Sequence, residues 1–307
     1  MPRPLKVGVQ LPEVEWVARW SQLREMARTA EGIGLDSIWV GDHLLYRGDG
    51  LPARGPWEAW TTLAAIAAVT DRLELGPLVA ATSFHNPALL AKQAATLDEI
   101  SGGRLILGLG AGWNEAEYHA YGFPFDHRVS RFEEAFTVIR TLLADGRCDF
   151  HGTYYDLADC ELLPRGPRHS RGEGPPLLVG SMGERMLSIT LPHVQAWNAW
   201  FTWFDNSVEG YRPMREAVDA ACRAARRDPA EVERTLALFV AFPGARGRSL
   251  GDLTTPKVTP IPGDPPTLAA ALRSFAAEGV GHVQLVLDPI SAESIAALAP
   301  VLAMLDG

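Results

Sequence analysis

Eight short apolar runs, each followed by a stretch of helical periodicity, constrain this chain more than any other feature. The runs are "LKVGVQL" (5–11), "DSIWVGDH" (36–43), "LELGPLVAAT" (73–82), the strand inside "SGGRLILGLGAGWNEAEY" (101–118), "PPLLVGS" (175–181), "QAWNAWF" (195–201), "TLALFVAF" (235–242) and "HVQLVLD" (282–288). Strands apolar throughout are buried on both faces, as in a parallel sheet covered by helices. Eight such units in 307 residues predict a closed (β/α)8 barrel spanning 1–307 as a single domain. The intervening helices are predicted over 20–31, 56–70, 86–100, 129–144, 184–191, 208–226, 266–280 and 292–305. Asn86 and Pro87 read as N-cap and first helical residue of the third.

Two segments break the rhythm. "CDFHGTYYDLADCELLP" (148–164) alternates around a His-Gly turn and predicts a β-hairpin within an insertion at about 145–175. The Pro/Gly-rich stretch 243–266 falls after the seventh strand, at the barrel face where active sites form. It reads equally as a lid or as a plain surface loop.

Composition removes several classes of function. A net charge of −9 and no long basic run argue against a nucleic-acid partner. No apolar run reaches the roughly 18 residues of a membrane span, and the N-terminus has no secretion signal. Three cysteines without CxxC spacing read as buried thiols in a reducing cytoplasm, with no disulfide scaffold or zinc site.

Function in such a barrel belongs to strand C-termini and the loops after them. The candidates there are Gln10, Asp42 and His43, the segment 77–86, Trp113 to Glu117, Gly180 to Gly183, and Asn198 to Trp203. No nucleophile elbow, HExxH or His/carboxylate cluster appears among them, which suits chemistry done by an organic cofactor. "VGSMGERM" (179–186) runs a strand through a Gly-rich turn into a helix, an arrangement that holds a phosphate; a turn without ligand would look the same. Glu115 and Glu117 read as acids favourable at a helix N-terminus, and His85 as structural. His43 and Trp113 also have bland readings, as a packed histidine and a core aromatic. A non-redox isomerase or aldolase is the rival class. It needs an acid/base pair or a Schiff-base lysine, and none of Lys6, Lys92 and Lys257 falls at a strand C-terminus.

"DSIWVGDH", "NPALLAKQAATLDEISGGRLILGLGAGWNEAEY", "YGFPF", "RFEEAFTVIRTLL" and "PPLLVGSMGERM" together resemble the luciferase-like flavin-dependent oxidoreductases over roughly residues 5 to 200. The resemblance implies a TIM barrel with an isoalloxazine or deazaflavin ring across the strand ends. It implies a non-prolyl cis peptide within Leu78, Val79 and Ala80 behind that ring. His43 is placed as the catalytic residue, with Asp42, Trp113 and Asn114 near the cofactor. Gly180, Ser181, Met182 and Gly183 form the phosphate turn. The segments after strands three and four are most similar to the branch using the deazaflavin F420, and FMN members share much of them. The implied reaction is hydride transfer to or from a small-molecule substrate. FMN-dependent monooxygenation, served by a separate flavin reductase, is the alternative, and a catalytically idle flavin-binding protein is another. Relatives are often dimeric, so a homo-oligomer through helices of the N-terminal half is expected. The aromatic run Trp200, Phe201, Trp203 and Phe204 suggests an apolar or planar substrate.

Overall fold

In the computed structural model, which describes residues 3–48, 50–168, 173–247 and 258–307, the apolar runs form one parallel barrel. The strands are β1 (Lys6–Gln10), β2 (Ser37–Val40), β3 (Glu74–Pro77), β4 (Ala80–Ala81), β5 (Leu107–Gly110), the hairpin β6 (Arg147–His151) and β7 (Asp156–Glu161), β8 (Leu177–Gly180), β9 (Ala196–Ala199), β10 (Glu233–Ala241), β11 (Ile261–Pro262) and β12 (Val280–Asp288). Around them lie α1 (Trp20–Gly32), α2 (Ala59–Ala67), α3 (Pro87–Ile100), α4 (Glu115–Tyr121), α5 (Arg128–Asp145), α6 (Glu184–Thr190), α7 (Val208–Ala224), α8 (Pro265–Ala277), α9 (Ala292–Ala296) and α10 (Ala299–Asp306). The sheet runs β3-β2-β1-β12-β10-β9-β8-β5-β4, and the bridge Leu75 to Leu105 closes it into the expected (β/α)8 barrel.

Three local readings are corrected. The third strand is not continuous: β3 pairs with β2, and β4 pairs with β5. Between them the Leu78–Val79 peptide is cis, inside the predicted window. The last helix is two helices, α9 and α10, because Pro300 opens the second and has no amide to continue the first. Part of 243–266 is ordered as β11, on the edge of β10, and as the start of α8. The rest of that lid segment, 248–257, lies outside the described residues, as do 169–172 of the insertion.

Other elements follow the sequence. Asn86 caps α3, its Oδ1 accepting from the amides of Ala88 and Leu89, with Pro87 in the first turn. Gly102 and Gly103 take φ of +66° and +87° at the stop after α3. The glycines of "GLG" answer to packing. A Cβ on Gly108 would lie 2.2 Å from the Pro77 carbonyl oxygen, and one on Gly110 2.8 Å from a Val79 methyl. Gly108 and Gly110 thus leave β5 bare on the face where the third strand bends over it. The hairpin sets Cys148 opposite Cys160; both are free, as is the buried Cys222. Among the described residues no helix is long and apolar enough to cross a membrane.

The barrel interior holds a polar layer near its base. Trp39 Nε1 donates to Ser37 Oγ at 2.7 Å, and Ser37 Oγ lies 2.7 Å from His282 Nε2. Burial, aided by the charge of Lys6, pushes the His282 imidazole down to about 3, so it stays neutral.

Candidate active site

His43 stands three residues beyond β2, at the barrel mouth, with its side chain 19% exposed. Its Nδ1 lies 2.8 Å from Oε1 of Glu117, which is buried in the first turn of α4. The other Glu117 oxygen accepts from the amides of Leu44 (2.8 Å) and Leu45 (3.2 Å), so the carboxylate also fixes the loop that carries His43. The His43 ring packs against Tyr46 at 4.8 Å and meets Trp113 edge-on at 5.5 Å. Burial works against a charged imidazole here. The hydrogen bond to Glu117 and the charges of Glu13, Glu117 and Asp42 outweigh it, so the His43 pKa is raised above its ordinary value. Among the described residues Nε2 makes no hydrogen bond, and a carboxylate on Nδ1 fixes the tautomer that leaves Nε2 to accept a proton.

Glu13 completes the cluster. Gln10 Nε2 donates to Glu13 Oε1 at 2.6 Å, and the Tyr46 hydroxyl donates to Glu13 Oε2 at 3.3 Å. Gly41 is required beside it, since a Cβ there would lie 1.8 Å from Glu13 Oε1. Glu13 and Tyr46 are absent from the sequence-derived candidates, and Glu117 stands among them only as a helix-terminal acid. Glu117 and its neighbour Tyr118 are both buried, so the start of α4 faces inward. Glu115, by contrast, is exposed and paired with His119 at 3.7 Å, as expected of a helix-terminal acid.

The remaining candidates divide between the mouth and its supports. Trp113 is 46% exposed and therefore not a core aromatic. Asn114 does not cap α4 with its side chain; its Nδ2 donates to the Leu45 carbonyl at 2.9 Å. Asp42 faces the third strand, its Oδ2 accepting from the Ala81 amide and lying 2.9 Å from His85 Nε2. Leu78, Val79 and Ala80 form the bend directly above Gly108 and Gly110. Asn198 is buried, and its Nδ2 donates to Thr235 Oγ1 (2.8 Å) and Gln284 Oε1 (2.7 Å) inside the barrel. Phe201 and Phe204 are core, whereas Trp203 is 37% exposed.

Gly180 ends β8, and Gly183 is the N-cap of α6, which among the described residues has no side-chain cap hydrogen bond. Ser181 is nearly buried, its carbonyl accepting from Trp197 Nε1 at 2.7 Å, while Met182 is exposed. Lys6 pairs with Glu74 at the base of β1, and Lys92 on α3 donates to the Leu163 carbonyl, so neither reaches the mouth. Lys257 lies outside the described residues. No group of His, Cys, Asp and Glu suited to a metal occurs among the described residues.

Residues 5–243 match the family model for luciferase-like monooxygenases. The chain is 31% identical to the F420-dependent glucose-6-phosphate dehydrogenase of Amycolatopsis mediterranei, over 78% of this chain and 69% of that protein. It is 32% identical to the pyrimidine monooxygenase RutA of Cronobacter sakazakii, over 56% of this chain and 50% of that protein. The fold superposes on an F420-dependent secondary alcohol dehydrogenase holding an F420–acetone adduct, with a TM-score of 0.80, 20% identity and 99% coverage of both chains. It also superposes on riboflavin lyase with modified FMN, with a TM-score of 0.78, 16% identity and coverage of 98% and 91%.

Proposed function

The chain belongs to the luciferase-like monooxygenase family, and from that premise we propose that it is an oxidoreductase transferring a hydride between the deazaflavin F420 and a small organic substrate. The observation that carries the reading is the His43–Glu117 pair, which holds a proton-accepting imidazole nitrogen at the barrel mouth. The likeness to an F420-dependent dehydrogenase supports the deazaflavin, and the likeness to a pyrimidine monooxygenase supports FMN as the second reading.

The residues present fit such a cofactor at both ends. Val79 stands over Gly108, Gly110 and Gly180, so the wall at the third-strand bend is apolar and has no projecting neighbour. The turn Gly180–Gly183 offers the Ser181 hydroxyl and uncapped amides to a phosphate. When bound, the cofactor supplies hydride chemistry that no side chain here has. The protein's part is position and protons. Leu78 to Ala80 would back the ring, and Trp113 stands beside His43 at the mouth. His43 Nε2 takes the hydroxyl proton of a substrate undergoing oxidation, or returns one to a carbonyl undergoing reduction. Glu117 holds the imidazole in the required tautomer and steadies its charged form. A homodimer through helices of the N-terminal half belongs to the same reading.

Titration of the purified protein with F420 and with FMN, followed by turnover of the bound cofactor with alcohols and aldehydes, tests the proposal. Binding of F420 with hydride exchange is expected. Binding of FMN alone, with oxygen consumption, moves the reading to monooxygenation. Binding of neither defeats it.

A further inference from the structure

An open pocket of about 360 Å³ lies beside the turn after β8, lined by Phe125, His127, Arg128, Val129, Ser130 and Arg185. Two of its six walls are arginines and none is an acid, in a chain whose net charge is −9. Arg128 is anchored from behind: Nη1 donates to the Gly112 carbonyl at 2.7 Å, and the guanidinium lies 4.2 Å from the Phe125 ring centroid. It has no carboxylate partner among the described residues, so its charge is uncompensated. Arg185 Nη2 donates to Ser130 Oγ (3.0 Å) and to Glu133 Oε2 (2.8 Å), which bridges α6 to α5 beside the pocket. The nearby acid Asp126 is taken by His127 and Arg131.

The pocket's place in the chain gives it meaning. Gly112 lies two residues past β5, and β5 pairs with β8. Arg185 is the second residue of α6, two beyond Gly183. A ligand whose phosphate sits on Gly180–Gly183 therefore has this pocket as its neighbour on the β5 side. FMN ends at that phosphate. F420 continues past it through a lactyl phosphodiester into a chain of glutamates, each adding a carboxylate.

We propose that the Arg128–Arg185 pocket is a subsite for an anionic tail, and that it selects F420 over FMN by receiving the lactyl-glutamyl carboxylates. This inference rests on the hydride-transfer reading above. Guanidinium groups suit the task because they pair with planar carboxylates through two parallel hydrogen bonds. The pocket is open to solvent, so each contact is screened and the preference is moderate and salt-dependent.

Tryptophan fluorescence titration with intact F420, with the deazaflavin ribityl phosphate lacking the tail, and with FMN tests the subsite. At low salt the wild-type protein should bind intact F420 about tenfold more tightly than the tail-less phosphate. Arg128→Ala and Arg185→Ala should each remove roughly fivefold of affinity for intact F420 and leave the tail-less compound within about twofold. Arg185 is 57% exposed, so its variant folds independently of the anchoring that Arg128 provides. High salt should close the gap. Equal wild-type affinity for tailed and tail-less deazaflavin overturns the subsite while the F420 reading stands. An unchanged F420 affinity in both variants, with inorganic phosphate or an anionic substrate alone displaced, assigns the arginines to another anion and also overturns it. Binding of FMN but of neither deazaflavin removes both the cofactor reading and the subsite.

Discussion

His43 and Glu117, 74 residues apart, are joined by a 2.8 Å hydrogen bond between Nδ1 and Oε1, with the second Glu117 oxygen on the backbone of the same loop. The carboxylate raises the imidazole pKa against the opposing effect of burial. Glu117→Gln should therefore move the His43 titration, followed by NMR or by the pH dependence of kcat/KM, to lower pH. The sign for stability follows from linkage. A pKa raised in the folded state stabilises fully below the unfolded value near 6.5 and loses that contribution as pH rises through the folded value. A His43 titration unmoved by Glu117→Gln would show that the pair does not set the proton affinity.

His282 has the opposite linkage. Its folded pKa of about 3 means the unfolded chain binds a proton that the native state refuses. Stability should fall as pH drops below about 6.5, by up to ~1.4 kcal/mol per unit from this residue alone. Denaturant midpoints at pH 7 and pH 4.5 measure it. In His282→Gln the acid loss should shrink; an identical loss in the variant removes His282 as its source.

Gly108 and Gly102 make a paired test of why glycine occupies each site. Gly108→Ala puts a Cβ 2.2 Å from the Pro77 carbonyl oxygen, which is backbone and must shift. About 1–3 kcal/mol of destabilisation is expected, together with displacement of the Leu78–Val79 wall and weaker cofactor binding. Gly102→Ala meets nothing within 4 Å and pays only for its φ of +66°. It should cost on the order of 1 kcal/mol and leave cofactor affinity alone. Equal effects on cofactor binding would refute the distinction.

Ser181→Asp places a carboxylate on the turn assigned to the phosphate. Cofactor affinity should drop by about tenfold or more, since charge-assisted bonds there contribute roughly 1.5–3 kcal/mol each. Melting temperature without cofactor should barely move, because the turn lies at the functional face of the barrel. His43→Ala should keep the cofactor and slow hydride transfer. Wild-type affinity in Ser181→Asp would leave Gly180–Gly183 as plain structure.

Leu89 and Ile100 on α3 are 56% and 46% exposed, apolar positions of the kind a second copy would cover. Light scattering should report a dimer. A 33 kDa monomer at micromolar concentration would overturn the expectation.

The sequence made the barrel legible because its strands are apolar on both faces, a pattern that few architectures tolerate. The divided third strand was hidden, since "LELGPLVAAT" is apolar throughout and its change of partner is a tertiary choice. Trp113, His43 and the Gly180–Gly183 turn are candidates legible from strand-end position. The role of Glu117 was hidden because an acid in the first turn of a helix is already explained by the helix dipole. Only the fold brings it to His43. Asn198 misled for a related reason: it lies in β9 with its amide turned inward to Thr235 and Gln284, and periodicity does not show depth along a strand.

The transfer of the third barrel strand from β2 to β5 divides responsibility along a single strand. Its first half, Glu74–Pro77, is registered to β2, and its second, Ala80–Ala81, to β5. The first half is also bridged at Leu75 to Leu105, on the chain entering β5, whereas the second pairs with β5 itself. The bend at Leu78–Val79 is the joint between the two halves, so the rim and the base of one strand answer to different neighbours.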